Sequence, residues 1–172
     1  FDLGAEKFFD IKCAGAGLDT AAVVLVATVR ALKMHGGIAA GSLAEPDPEA
    51  VVRGLPNLEK HVESIRRFGE TPVVALNRFA SDTKDEIRAV RARCAALDIP
   101  FAVADPFARG GEGAEDLARL VVERAEKRSQ PFRPLYDRGD PVVEKIRKVA
   151  SAMYGARGVV LTKRAERDLR EV

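Results

Sequence analysis

The sequence predicts an α/β protein with a mostly parallel sheet flanked by helices, and three observations predict it. Short apolar, β-branched runs recur at residues 22–29 (AVVLVATV), 72–77 (PVVALN) and 100–105 (PFAVAD). Such runs do not alternate with polar residues, which is the pattern of strands buried on both faces, as in a parallel sheet. Between them lie stretches with apolar residues at helical spacing, so strands and helices take turns along the chain and right-handed crossovers must join the strands.

Each element has its own local signal. Residues 2–13 (DLGAEKFFDIKC) offer Leu3, Phe8, Phe9 and Ile11 as apolar helix faces, before a break at Gly15 and Gly17. After the first strand, residues 41–56 (GSLAEPDPEAVVRGLP) read as a Pro-rich surface excursion. Leu58, Val62 and Ile65 then step at helical spacing. Following the second strand, Thr83 and Glu86 form a capping box for a helix carrying Ile87, Val90, Cys94 and Leu97. Leu117, Leu120 and Val121 mark a third helix after the third strand. A loop at residues 130–141 leads to a fourth, with Asp140 as its N-cap and Pro141 as its first position. Its core side is Val143, Ile146 and Val149, and Gly155 stops it. Residues 158–161 (GVVL) are expected to add a fourth strand. Residues 1–132 form the α/β portion, and 133–172 a small C-terminal piece packed on the same domain.

Composition narrows the function classes. A chain of 172 residues suits one domain. It is 47% hydrophobic and 31% charged, with 28 basic and 26 acidic residues. The net charge of +2 gives no footprint for nucleic acid, and no basic stripe with interleaved aromatics is present. No apolar run approaches the roughly 18 residues that would suggest a membrane span. Cys13 and Cys94 are too few and too far apart for a disulfide framework or metal knuckle, and read as reduced thiols of a cytoplasmic protein. The chain opens on Phe1 and is expected to be part of a longer one.

Ligands of such sheets bind beyond the carboxyl ends of the strands, which singles out three loops. In the first, Arg30, Lys33 and His35 follow a buried strand as possible anion contacts, and Gly36 and Gly37 allow close backbone approach; the alternative is a helical turn of solvated bases. His35 has no second ligand at metal spacing. In the second loop, Asn77 and Asp82 flank Phe79, and either read a ligand edge or serve as an Asx turn and a helix N-cap. The third holds Asp105, Phe107, Arg109, Gly110, Gly111, Glu112 and Gly113 ahead of a helix, so that N–H groups can face an anion. Phe79 and Phe107 project from neighbouring strand ends. They either clamp a flat heterocycle between them or tuck into the core. No G-x-x-x-x-G-K-[ST] phosphate loop occurs.

The segments LGAEKFFDIKC (3–13), VATVRALKMHGG (26–37), LPNLEKHVESIRRFG (55–69), NRFASDT (77–83), ARGGEGAEDLA (108–118) and YGARGVVLTKRAERDL (154–169) resemble, in order and spacing, formate–tetrahydrofolate ligases. The resemblance covers essentially the whole chain. It implies a P-loop-NTPase-like fold that is incomplete relative to the full-length family, whose phosphate loop lies upstream. It implies ATP with Mg2+, formate and tetrahydrofolate as ligands, a monovalent cation, a homo-oligomer, and the rest of the ligase or a partner chain as neighbour. By this resemblance Phe79 and Phe107 stack the pterin, Phe107 standing where many members have Trp. Ala14, Ala80 and Arg109 replace a common Arg, Pro and Lys. A non-catalytic α/β binding or regulatory module that lacks a phosphate loop is the alternative, decided by whether the parent chain carries a T-P-x-G-E-G-K-T-T type loop. Lacking the Lys and N–H groups that hold phosphates, the purified chain alone is expected to release no formate-dependent ADP from MgATP. Turnover without a partner in a coupled ADP assay would overturn that expectation.

Overall fold

A computed structural model describes residues 4–127 and 131–171. Asp2 and Leu3 of the first expected helix, and Gln130 at the start of the 130–141 loop, lie outside the described residues.

The fold is α/β. Three parallel strands, β1 (Val24–Ala27), β2 (Val73–Asn77) and β3 (Phe101–Ala104), lie in the order β1-β2-β3. Val24 pairs with Val73 and Ala27 with Leu76, while Val74 pairs with Phe101 and Asn77 with Ala104. The carboxyl ends of β2 and β3 therefore finish side by side, about 4.8 Å apart. Val73 to Leu76 are buried, as their unbroken apolar run predicts. β1 departs from that expectation. Val24 and Val26 are exposed on this strand, which is an edge of the sheet among the described residues.

A π-helical segment, Lys7–Cys13, runs into α1 (Ala14–Ala16) and ends on Gly17 in the left-handed conformation, φ 63°. After β1 come α2 (Val29–His35) and the 20-residue α3 (Pro48–Arg67), then α4 (Lys84–Ala96) after β2. α5 (Pro106–Arg109) and a 3-10 turn (Gly110–Ala114) lead into α6 (Glu115–Lys127), which packs on β3 and β2. α7 (Val142–Tyr154) and α8 (Lys163–Asp168) follow. The expected N-cap Asp140 gives way to Pro141, with Asp140 instead accepting from the Asp137 N–H and the Lys148 ammonium.

Two cores hold these elements. Leu32, Val51, Leu55, Leu58, Val62, Val90 and Cys94 close over Ala27, Val74 and Leu76, each large side chain contributing roughly 1.5–3 kcal/mol. A second cluster joins Phe9, Phe68 and Met153, with the Phe9 and Phe68 rings stacked at 4.5 Å.

Two expectations are corrected. The 41–56 excursion is largely helix: α3 begins at Pro48, capped by Asp47 accepting from the Ala50 N–H at 2.8 Å. Pro48 costs nothing there, since the first helical N–H is unpaired anyway. Pro56 does cost a backbone hydrogen bond, but buried Ala50, Val51, Leu55 and Leu58 on either side carry the helix through it. Residues 158–161 form no strand; Val160 is 96% exposed and has no ladder to join.

The α2–α3 contact is unusually close. A Cβ on Gly54 would meet the Leu32 carbonyl oxygen at 2.0 Å, and one on Gly36 the Ala50 carbonyl oxygen at the same distance. Within the HGG stretch, Gly36 thus serves a helix–helix approach. Gly54→Ala is expected to cost at least about 3 kcal/mol and roughly 10 °C in Tm. Gly41→Ala, with nothing within 4 Å, is expected to leave Tm within about 2 °C. Thermal unfolding followed by circular dichroism compares the two.

Candidate functional site

Beyond the paired ends of β2 and β3 stand the two loops that bear the aromatic residues. The Arg78 N–H donates to the Ala104 carbonyl at 2.9 Å, prolonging the ladder by one step. The Arg78 side chain then crosses to the other loop, Nη1 lying 2.9 Å from Asp105 Oδ2. Asp105 precedes α5 but makes no side-chain cap bond; its carboxylate is held by Arg78. This ion pair is a strut between the base of the Phe79 loop and the base of the Phe107 loop. Arg78 escaped the sequence reading, although its place directly after Asn77 at a strand end is the signal for it.

The third loop is more structured than its glycines suggest. The Asp105 N–H donates to the Gly113 carbonyl at 2.9 Å, and a Cβ on Gly113 would meet the Asp105 carbonyl oxygen at 2.2 Å. Gly113 is therefore a packing glycine. Gly110, at φ 56° and ψ −141°, holds a conformation nearly confined to glycine. Arg109, Gly110, Gly111 and Glu112 face solvent. Phe107 is 100% exposed on the short α5, so it does not tuck into the core.

Phe79 is 36% exposed and sits in a closed turn. Its N–H donates to Asp82 Oδ2 at 2.8 Å, and its carbonyl accepts from the Asp82 N–H at 3.0 Å. Asp82 is buried, and the cap of α4 is Thr83, not Asp82. Burial pushes the Asp82 carboxyl above its ordinary range, the Phe79 N–H opposes this, and the nearby Glu86 charge adds to it. Arg30, from the first turn of α2, lays its guanidinium over the Phe79 ring at 4.4 Å from the centroid. Asn77, half-buried, ends β2 beneath this turn.

Lys33, offered by the sequence as an anion contact or else a solvated base, is instead buried against a carboxylate of its own chain. It is 1% exposed, and its ammonium donates to Glu86 Oε1 at 2.9 Å and to the Glu45 carbonyl at 2.8 Å. Glu86, 0% exposed, also accepts from the Asp47 N–H at 3.0 Å and from the N–H and hydroxyl of Thr83 at 2.8 Å each. Burial alone would raise the Glu86 carboxyl; these donors overcome it and lower it from 4.5 to about 2. The capping box was legible in the sequence, but not that its Glu is the counterion of a buried Lys. His35 lies exposed at the last turn of α2, apart from this pair.

Over residues 1–172 the chain matches the family model described as formate–tetrahydrofolate ligase. The chain belongs to the formate–tetrahydrofolate ligase family. It is 47% identical over 172 residues to the formate–tetrahydrofolate ligase of Porphyromonas gingivalis, covering 99% of this chain and 31% of that protein. It is 50% identical over 155 residues to the formate–tetrahydrofolate ligase of Granulibacter bethesdensis, covering 90% of this chain and 27% of that protein. The chain thus spans under a third of the length of these curated relatives.

Within this ligase-family segment, the residues present offer positioning groups more than reactive ones. Burial pushes the Cys94 thiol up to about 11, so it is no nucleophile. Among the described residues no group of three His, Cys, Asp or Glu side chains could hold a metal, and no helix is long and apolar enough to cross a membrane.

The buried pair gives a pH prediction. Because the folded Glu86 carboxyl is depressed, its stabilisation is fully present above about pH 5 and drains away as pH falls toward 2. Glu86→Gln is expected to cost about 3–5 kcal/mol at pH 7, since it strands the Lys33 charge, and to flatten the acid limb of stability. Denaturation midpoints between pH 2 and 7 for both proteins check this.

Proposed function

We propose that this segment supplies the folate pocket, and one side of the nucleotide site, of a ligase that activates formate with ATP as formyl phosphate and passes the formyl group to N10 of tetrahydrofolate. The observation that carries the reading is a fully exposed aromatic, Phe107, on a turn strutted by Arg78–Asp105 to the turn that holds Phe79. Exposing a phenyl ring to water gains the fold nothing, whereas a planar pterin gains stacking area from it.

In this reading Phe79 and Phe107 are the two plates. Asn77 and Asp105 offer polar edges to the heterocycle, buried Asp82 holds the Phe79 turn, and Arg109 with the exposed 110–112 turn faces the nucleotide side. The transfer needs orientation above all. The N10 lone pair attacks the formyl carbon, the C–O bond to phosphate breaks, phosphate departs with the electron pair, and N10 loses its proton. Fixing N10 against a bound acyl phosphate converts an encounter into a near-unimolecular step, and cations stabilise the charge that develops on oxygen. The residues here do not fit the triphosphate or Mg2+, since the sequence carries no phosphate loop and the described residues include no cluster of carboxylates that could hold a metal. No step is assigned to those groups in this chain, and their ligands belong to other parts of the ligase.

Phe107→Ala in the full-length ligase is expected to weaken tetrahydrofolate binding about tenfold while the KM for ATP holds. Phe107→Trp should preserve or tighten folate binding by enlarging the plate. Folate affinity measured by fluorescence titration, with Tm measured alongside, tests the pair. An unchanged affinity in a stably folded Phe107→Ala protein would sink the pocket assignment.

A further inference from the structure

Among the described residues Arg30 is the cation set against a proposed plate, and its surroundings define a role. Its guanidinium carbon lies 4.4 Å from the Phe79 centroid, and Nη2 is 3.5 Å from Ser81 Oγ. Its Nε is buried and has no hydrogen-bond partner among the described residues. What it contacts is the Phe79 ring and the turn that carries it. The helix supplying Arg30 is itself fixed, with α2 held against α3 at Gly36 and Gly54, where no Cβ would fit. The turn supplying Phe79 is closed on both its backbone groups by Asp82.

We propose that Arg30 is a positioning residue for the folate-stacking ring: it covers one face of Phe79, holds the ring against rotation, and leaves the opposite face as its single stacking surface. The inference rests on the reading of Phe79 as a pterin plate. A planar guanidinium suits the task, because it stacks flat on the ring and is weakly hydrated, so it keeps its place where an ammonium would seek water. Arg30 then acts on the ligand through Phe79. This role takes the place of the anion contact that its position in the loop first suggests.

The test is a double-mutant cycle in the full-length ligase with Arg30→Met, Phe79→Ala and the double variant. The readouts are tetrahydrofolate affinity, the KM values for ATP and formate, and Tm. Arg30→Met, of similar length but uncharged, is expected to weaken folate binding about three- to tenfold with the ATP and formate constants unchanged. Arg30→Lys should recover part of the loss. In the Phe79→Ala background, Arg30→Met should add less than about twofold, because its only route to the ligand is gone.

Equal losses in both backgrounds would overturn the proposal, as would a rise in the formate or ATP constant that matches the folate loss. If Phe79→Ala weakens folate binding and Arg30→Met does not, the positioning role falls while the pocket stands. If neither changes it, the pocket reading falls and takes this role with it. Should Arg30→Met fold poorly, Arg30→Gln reads the same cycle with a side chain that can still bond Ser81.

Discussion

Two charges that never see water organise this segment. Removing Lys33 and Glu86 from solvent costs several kcal/mol for each ion, and the fold retains them because the remaining donors and acceptors are supplied. Glu86 takes four hydrogen bonds and Lys33 gives two. Those bonds draw together the last turns of α2, the 45–47 connection that starts α3, and the first turn of α4. Because Thr83 is one of the donors, the turn carrying Phe79 is held at its far end by the same carboxylate. Arg30 sits three residues before Lys33 on α2, so the pair also sets the distance between Arg30 and Phe79. The geometry of the proposed folate plate thus depends on an ion pair buried away from solvent.

The glycines supply the matching constraint on the backbone. Gly36 and Gly54 let α2 and α3 approach until a methyl group on either would strike a carbonyl oxygen. That contact fixes the roll of α2 and therefore which of its residues face inward. Lys33 falls on the buried side with Leu32, and Met34 and His35 on the exposed side. Gly113 plays the same part for the third loop, where it lets the 3-10 turn close against the Asp105 carbonyl. Without that closure α5 would be free to swing Phe107 away from the strand end.

The readable features of this sequence are those whose causes are local. β2 and β3 announce themselves because both are apolar over a strand's length, and α4 because Thr83 and Glu86 stand at capping-box spacing. α3 is only half legible because Pro48, Gly54 and Pro56 are breakers by propensity. Two of them are explained only by tertiary contact: Gly54 by a carbonyl from another helix, and Pro56 by the burial on either side of it. GVVL at 158–161 has strand composition but no partner, and a strand is made by its neighbours. That two aromatics and a carboxylate stand at adjacent strand ends was likewise legible. Lys33 was not, because a basic residue beside His35 and Met34 reads as surface until its counterion, more than fifty positions later, is placed beside it.

The two rings at the strand ends are held in different ways, and the difference follows from the elements beneath them. Phe79 is backed by Arg30 and bound through its own backbone to Asp82, so its position is set before any ligand arrives. Phe107 projects from a single short turn whose base is tied by the Arg78–Asp105 strut and the Gly113 contact, but whose side chain touches little. A flat ligand entering between them would meet one fixed surface and one that adapts. Ordering the second ring costs side-chain entropy on binding, which offsets part of the stacking energy. A larger ring at position 107 adds stacking area without adding a rotatable bond. That is the physical reason a Trp at position 107 would suit the proposed pocket, and why the adaptable plate, rather than the fixed one, would tolerate a change of ring size.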